Sequence, residues 1–149
     1  MIVFADSSAI VKLYVDEQDS EAVRELAGTL TISALAQVEV PAAFWRKYRV
    51  GDVQAEAASV MARLFSSDFR VDREGGPRFA MVEVGALVLG AAARAVGRHP
   101  LRAYDAVQLA SAIEFRRAVG ERVDFACFDR SLRSAAAAEG FAVVPADLM

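Results

Sequence analysis

The sequence predicts an α/β protein: a three-layer α/β/α sandwich around a central parallel sheet of four or five strands. Three observations lead there. Short apolar runs alternate with longer segments of helical period, the pattern of a parallel sheet covered on both faces. The 149 residues are 55% hydrophobic with a mean hydropathy of +0.28, enough to bury a sizeable core as a single domain over 1–149. No repeat, low-complexity stretch or linker longer than a loop interrupts the pattern.

The opening Ile2-Val3-Phe4-Ala5 reads as a buried strand, and Asp6-Ser7-Ser8 leads into a helical stretch, Ala9 to Val15. Asp19-Ser20 is placed to cap a second helix through Leu26, with Gly28 past its end. Leu30-Thr31-Ile32 is a second short strand, and Ser33 is the expected N-cap of a helix running through Trp45. Pro41 lies inside that helix, where a missing N–H and a ring clash predict a kink or a loosened turn. After Gly51-Asp52 a further helix is expected over Val53 to Phe65, giving the middle of the chain a hairpin-like helical character. Phe69-Arg70-Val71 is the third strand candidate and Gly75-Gly76-Pro77 a sharp turn. Phe79 to Val96 is apolar nearly all round and predicts a helix buried on more than one side, broken at His99-Pro100. Arg102 to Val119 reads as a helix, Val123 to Phe128 as a strand, Arg130 to Glu139 as a helix and Phe141 to Val144 as the closing strand.

Several classes of protein are disfavoured. One cysteine, Cys127, cannot form an internal disulfide, so a reducing, cytoplasmic setting is expected. The first residues lack a basic start and carry Asp6 within their apolar run, which is unlike a secretory signal. The longest uncharged apolar stretch, Gly85 to Ala93, is far shorter than the ~20 residues a membrane span needs, so no membrane association is expected. A net charge of −3 argues against a uniformly basic, nucleic-acid-coating surface. Acids gathered at a cation site would contribute to that sum, however, and arginines cluster locally in Arg46-Lys47-Tyr48-Arg49, Arg70 to Arg78, Arg94 to Arg102 and Arg116-Arg117.

The acids carry the functional argument. In an open parallel sheet, ligands bind at the carboxyl ends of strands. Asp6 directly follows the first strand and Asp129 the fourth; Glu39 lies within two turns of the second strand's end. Asp105 occupies the first turn of its helix, beside a stripe of Ala106, Leu109, Ala110 and Ile113. Carboxylates brought together repel, and burial penalises their charge further. A hard divalent cation with oxygen ligands relieves both effects; without histidine or thiolate donors nearby, Mg²⁺ or Mn²⁺ suits the set better than zinc. Such an ion lowers the pKa of a bound water and stabilises a leaving phosphodiester oxygen. Each acid has a structural alternative. Asp6 and Asp129 suit helix N-caps, Asp105 complements a helix dipole, and Glu39 can pair with Arg46 two turns on. Their shared position at one sheet edge favours a site. Asp124 starts its strand, at the opposite end.

These residues resemble the PIN-domain ribonucleases, and within them the VapC-like toxins of type II toxin–antitoxin pairs, over essentially the whole chain. Four ordered segments carry the resemblance: Val3-Phe4-Ala5-Asp6-Ser7-Ser8-Ala9 with Lys12 and Tyr14; Ser33 with Glu39, running into Ala42-Ala43-Phe44-Trp45-Arg46-Lys47; Leu101-Arg102-Ala103-Tyr104-Asp105-Ala106-Val107-Gln108-Leu109-Ala110; and Phe125-Ala126-Cys127-Phe128-Asp129-Arg130-Ser131-Leu132. The resemblance implies that Asp6, Glu39 and Asp105 hold Mg²⁺ or Mn²⁺, with Asp129 completing the site through water or a second ion. It implies RNA cleavage to a 5′-phosphate and a 3′-hydroxyl, homodimerisation, and inhibition by a VapB-like antitoxin.

Ser7 and Ser8 are candidates to support the site or simply to fix the turn, and Arg102 to meet RNA phosphate, to neutralise the pocket or to lie free on the surface. His99 reads as a turn residue, and Trp45, Met61 and Phe65 as core or dimer packing. The rival to an endoribonuclease toxin is a catalytically silent PIN-like module for protein binding or regulation. A phosphoryl-transfer or receiver protein would need a second acid beside Asp6, where Ser-Ser-Ala stands instead.

Overall fold

A computed structural model describes residues 1–26, 28–69, 74 and 76–148. Five strands and seven helices follow one another as β1 Val3–Ala5, α1 Ser7–Val11, α2 Ser20–Arg24, β2 Leu30–Ser33, α3 Ala36–Arg49, α4 Ala55–Ser67, β3 Phe79–Val82, α5 Ala86–Arg98, α6 Ala103–Val119, β4 Asp124–Ala126, α7 Arg130–Ala138 and β5 Ala142–Val144. All strand pairings are parallel, in the order β3-β2-β1-β4-β5. The chain thus winds outward from β1 to one edge and then returns to build the other half. The order reverses between β1 and β4, whose register pairs Val3 with Asp124 and Ala5 with Ala126.

Side chains alternate across the central strands and divide the core. Phe4 and Phe125 point to one face, stacked at 5.5 Å, among α5, α6 and α7. Val3, Ala5 and Ala126 point to the other, against α1, α3 and α4. Both faces of β1 are therefore dry, and β1 is buried throughout. The three-layer parallel sheet expected from the sequence is the fold observed. The helical hairpin in the middle is α3 and α4, which lean on each other, with α3 also packed against α1. Among the described residues no helix is long and apolar enough to cross a membrane.

Several local expectations need correction. Phe79–Val82 opens the predicted long helix but is strand β3, paired Leu30 to Phe79 through Ser33 to Val82. An apolar run this short carries no period that separates strand from helix. Glu83 to Gly85 then breaks the chain before α5. The strand expected at Phe69–Val71 falls at Arg70 and Val71 outside the described residues, as does Gly75 of the expected turn; Gly76 has a φ of +93°, which suits a turn. Ser33 does not cap α3: it ends β2, its hydroxyl accepting from the Leu35 N–H at 3.2 Å, and the helix starts at Ala36. α3 continues through Pro41 unbroken. The carbonyl that Pro41 cannot serve is that of Gln37, an exposed residue. Asp19 makes no side-chain cap on α2; the Ser20 hydroxyl instead bonds the Val15 carbonyl at 2.7 Å.

Candidate active site

The reversal of strand order places the ends of β1 and β4 side by side, and each end carries an acid. The Asp6 N–H continues the β1–β4 ladder by donating to the Ala126 carbonyl at 3.0 Å, so the Asp6 side chain is fixed at the last rung. One oxygen, Oδ1, caps α1 by accepting from the Ala9 N–H at 3.3 Å and takes the Ser8 hydroxyl at 2.7 Å. Ser8 in turn accepts from the Phe128 N–H at 2.9 Å, stitching the loop after β1 to the loop after β4. Asp129, at the end of that second loop, caps α7 through Oδ1 and the Leu132 N–H at 2.9 Å. The capping roles foreseen for Asp6 and Asp129 are thus real. Since each cap engages Oδ1, a cap and a site do not exclude each other.

Glu39, in the first turn of α3, is held by two neighbours. Its Oε1 accepts the Ser7 hydroxyl at 2.9 Å and the Gln108 amide at 2.7 Å, and the same amide reaches Ser7 Oγ at 3.1 Å. Gln108 is the residue that sequence reasoning missed. It is 1% exposed on α6, one turn beyond Asp105, and its Oε1 is buried without a hydrogen-bond partner. A polar side chain on an otherwise apolar helical stripe was the available signal. Asp105 lies in the first turn of α6, where the Arg102 guanidinium approaches it at 3.6 Å.

One cleft of about 320 Å³ joins these groups, lined by Asp6, Ser7, Ser8, Glu39, Asp105 and Asp129, with Arg46, Arg102 and Tyr104 at its side. The structure brings all four predicted acids to this cleft, together with Ser7, Ser8 and Arg102. Glu39 does not pair with Arg46; among the described residues Arg46 has no carboxylate partner. Trp45 edge-packs on Tyr48, while Met61 and Phe65 are core. His99 bonds Glu139 at 2.8 Å, and neither residue lines the cleft, although His99 is only six positions before Asp105 in the sequence. Asp124 is tied to Arg122 at 2.9 Å at the start of β4, the other end of the sheet.

The electrostatics follow from burial. Asp6 is pushed up to about 7, chiefly because burial penalises its charge and also because Glu39 is near, against the stabilising bonds from Ser8 and Ala9. Burial raises Asp105 as well, with the Asp129 charge adding to it and Arg102 opposing. The Cys127 thiol is pushed up by burial and the Asp6 charge, which keeps it a thiol; its Sγ contacts the Asp129 carbonyl at 3.6 Å. Among the described residues no three acidic, histidine or cysteine side chains stand close enough together to make a ready-formed metal cage. The acids line one cleft and feel each other's charge as Asp6 with Glu39 and Asp105 with Asp129.

No protein of curated function matches the sequence. Several solved structures share the fold, among them the three that follow. A toxin–antitoxin complex from Klebsiella pneumoniae superposes with a TM-score of 0.61 at 14% identity, covering 100% of both chains. The VapC20 toxin of Mycobacterium tuberculosis, described as cleaving the sarcin–ricin loop, gives 0.60 at 18% identity over 93% of this chain and 95% of that one. PAE2754 from Pyrobaculum aerophilum gives 0.62 at 21% identity over 96% and 83%. At these identities the likeness is one of fold. The sequence model of the PIN domain matches residues 3–137, from the first strand to the last helix, and the chain therefore belongs to the PIN-domain family.

Proposed function

We propose that the protein is a metal-dependent endoribonuclease, the toxin of a VapBC-type toxin–antitoxin pair, acting as one PIN unit over residues 1–149. The observation that carries the reading is the meeting of Asp6, Glu39, Asp105 and Asp129 in one cleft at the sheet's switch point, from four separate segments of the chain. The toxin–antitoxin origin of two fold neighbours supports the biological role, and with it a VapB-like antitoxin as partner. Homodimerisation has a candidate surface in α5, whose Leu87, Leu89 and Val96 are exposed.

The donor set fits Mg²⁺ or Mn²⁺ by chemistry: carboxylate oxygens, with the lone nearby thiol held protonated. When bound, such an ion supplies a water of lowered pKa and neutralises charge at the leaving oxygen. The chain's own residues do the rest. Asp6 and Asp129 each keep one oxygen on a helix cap, which fixes the direction of the other. Ser7 and Gln108 immobilise Glu39. Arg102 offsets the charge of Asp105 and stands where a phosphate of the RNA would approach. The products are a 5′-phosphate and a 3′-hydroxyl.

That no three metal-ligating side chains form a ready-made group among the described residues favours one second reading, a PIN module kept for protein binding or regulation without catalysis. Cleavage of structured RNA by the purified protein, with Mg²⁺, Mn²⁺ or chelator, separates the two. Wild type cuts only with the cation, and Asp6→Asn and Asp105→Asn lose about 100-fold or more. Equal cleavage by wild type and either variant removes the acids from catalysis; no cleavage under any cation leaves the binding module.

A further inference from the structure

A second hollow of about 260 Å³ opens beside the acids, between α3 and the start of α6, lined by Glu39, Arg46, Arg102, Ala103, Tyr104 and Asp105. It shares Glu39, Arg46, Arg102, Tyr104 and Asp105 with the acid cleft, so the two are continuous. The nuclease reading leaves its most conspicuous side chain without a task. Of three tyrosines, Tyr14 packs edge-on against Phe44 and Phe65, and Tyr48 against Trp45. Tyr104 does neither: it is 64% exposed, and among the described residues it has neither a ring neighbour nor a hydrogen-bond partner.

We propose that this hollow is a base-binding subsite, in which Tyr104 stacks an unpaired nucleobase next to the scissile phosphate while Arg46 and Arg102 contact the flanking phosphates. The proposal rests on the nuclease reading and adds what that reading lacks, a means of selecting the strand. An exposed aromatic ring offers a base its π-face, a contact available only where the base is unpaired. Arg46, on α3, and Arg102, at the N-cap of α6, line the same hollow as the ring, and among the described residues Arg46 is spared any carboxylate of its own. Without cations on this rim, the acids would repel the RNA backbone over the whole approach. A duplex keeps its bases stacked on one another and has none to offer, so the substrate is single-stranded or looped at the cut.

The test is binding of a short single-stranded RNA oligonucleotide carrying 2-aminopurine, measured by fluorescence quenching and anisotropy with Ca²⁺ as the cation. A duplex of the same sequence serves as control. Wild type and Tyr104→Phe quench the base and bind alike, whereas Tyr104→Leu, which keeps apolar bulk without the π-face, weakens binding about 10-fold. The duplex is indifferent to all three. Arg46→Gln lowers the slope of log affinity against log salt by about 0.7, the loss of one phosphate contact on a single strand. In cleavage assays Tyr104→Leu raises KM far more than it lowers kcat. Equal single-strand affinity for wild type and Tyr104→Leu, or an equal loss in Tyr104→Phe, overturns the subsite. Tyrosine-dependent binding without any cleavage supports the subsite and sinks the nuclease reading; absence of RNA binding in the wild type sinks both.

Discussion

Asp6 is the residue at which burial, capping and charge compete most directly. Its folded value near 7 lies above the ordinary 3.8, so between those pH values the folded state holds a proton that the unfolded state has released. The linkage sign is then fixed: in the absence of metal, Asp6 contributes a stability that is full below about pH 4 and is lost as pH rises through 7. The span corresponds to something on the order of 4 kcal/mol at most. Asp6→Asn keeps the cap, since Asn is as good a capping residue, and removes the titration. Thermal unfolding in chelator should therefore find Asp6→Asn more stable than wild type at pH 8, with the gap closing towards pH 4; a gap independent of pH would mean that Asp6 is not held protonated by the fold. The position of Asp6 was legible because an acid at the end of a buried strand is rare without a reason. The network behind Glu39 was not, because nothing local links Ser7, Glu39 and Gln108, which lie 32 and 69 residues apart in their two bonds.

At the scale of elements, α7 shows how a site residue also serves the fold. Its N-terminus hangs on Asp129, and its apolar side, Leu132, Ala135 and Ala136, closes the core over Phe125 and Phe141. Removing the cap should loosen this helix without emptying the core. Asp129→Ala is expected to lower stability by about 1 kcal/mol, and Asp129→Asn by much less. Cleavage should fall in both, because both lose the carboxylate. If chemical denaturation shows the two variants equally destabilised, the cap is not what Asp129 contributes. Sequence patterns found α7 readily, as they found α6, because a long helix repeats its apolar stripe several times. They misassigned β3 because four residues on a sheet edge repeat nothing, and Met81 there is 43% exposed, which also blurs the apolar signal. Caps suffered likewise: Ser33 and Asp19 have the right chemistry, but strand β2 claims one and a left-handed backbone, φ +66°, turns the other aside.

For the whole molecule, the decisive fact is the strand order, and it was only partly legible. Alternating strands and helices imply a parallel sheet, but they leave open which strands are neighbours. Only the pairing of β1 with β4 brings Asp6 beside Asp129, after a separation of 123 residues in the sequence of 149. The same winding draws α3 and α6 from opposite faces of the sheet to present Glu39 and Asp105. A cation held by these acids would therefore cross-link both halves of the core, and its binding should appear as stability of the entire domain. At ten times its dissociation constant an ion binding only the folded state adds about 1.4 kcal/mol. For a chain of this size that is a rise in Tm of roughly 3–6 °C. The rise should be larger at pH 8 than at pH 6, since below 7 the ion must first displace the Asp6 proton. Titrating Mn²⁺ into wild type and Asp105→Asn, with Tm as the readout, distinguishes this clamp from loose binding by the many surface acids. The clamp requires the variant to lose most of the rise while starting from a Tm no lower than the wild type's in chelator. A rise of the same size in both proteins would place the ion elsewhere, and the four acids would then share a cleft without sharing a metal.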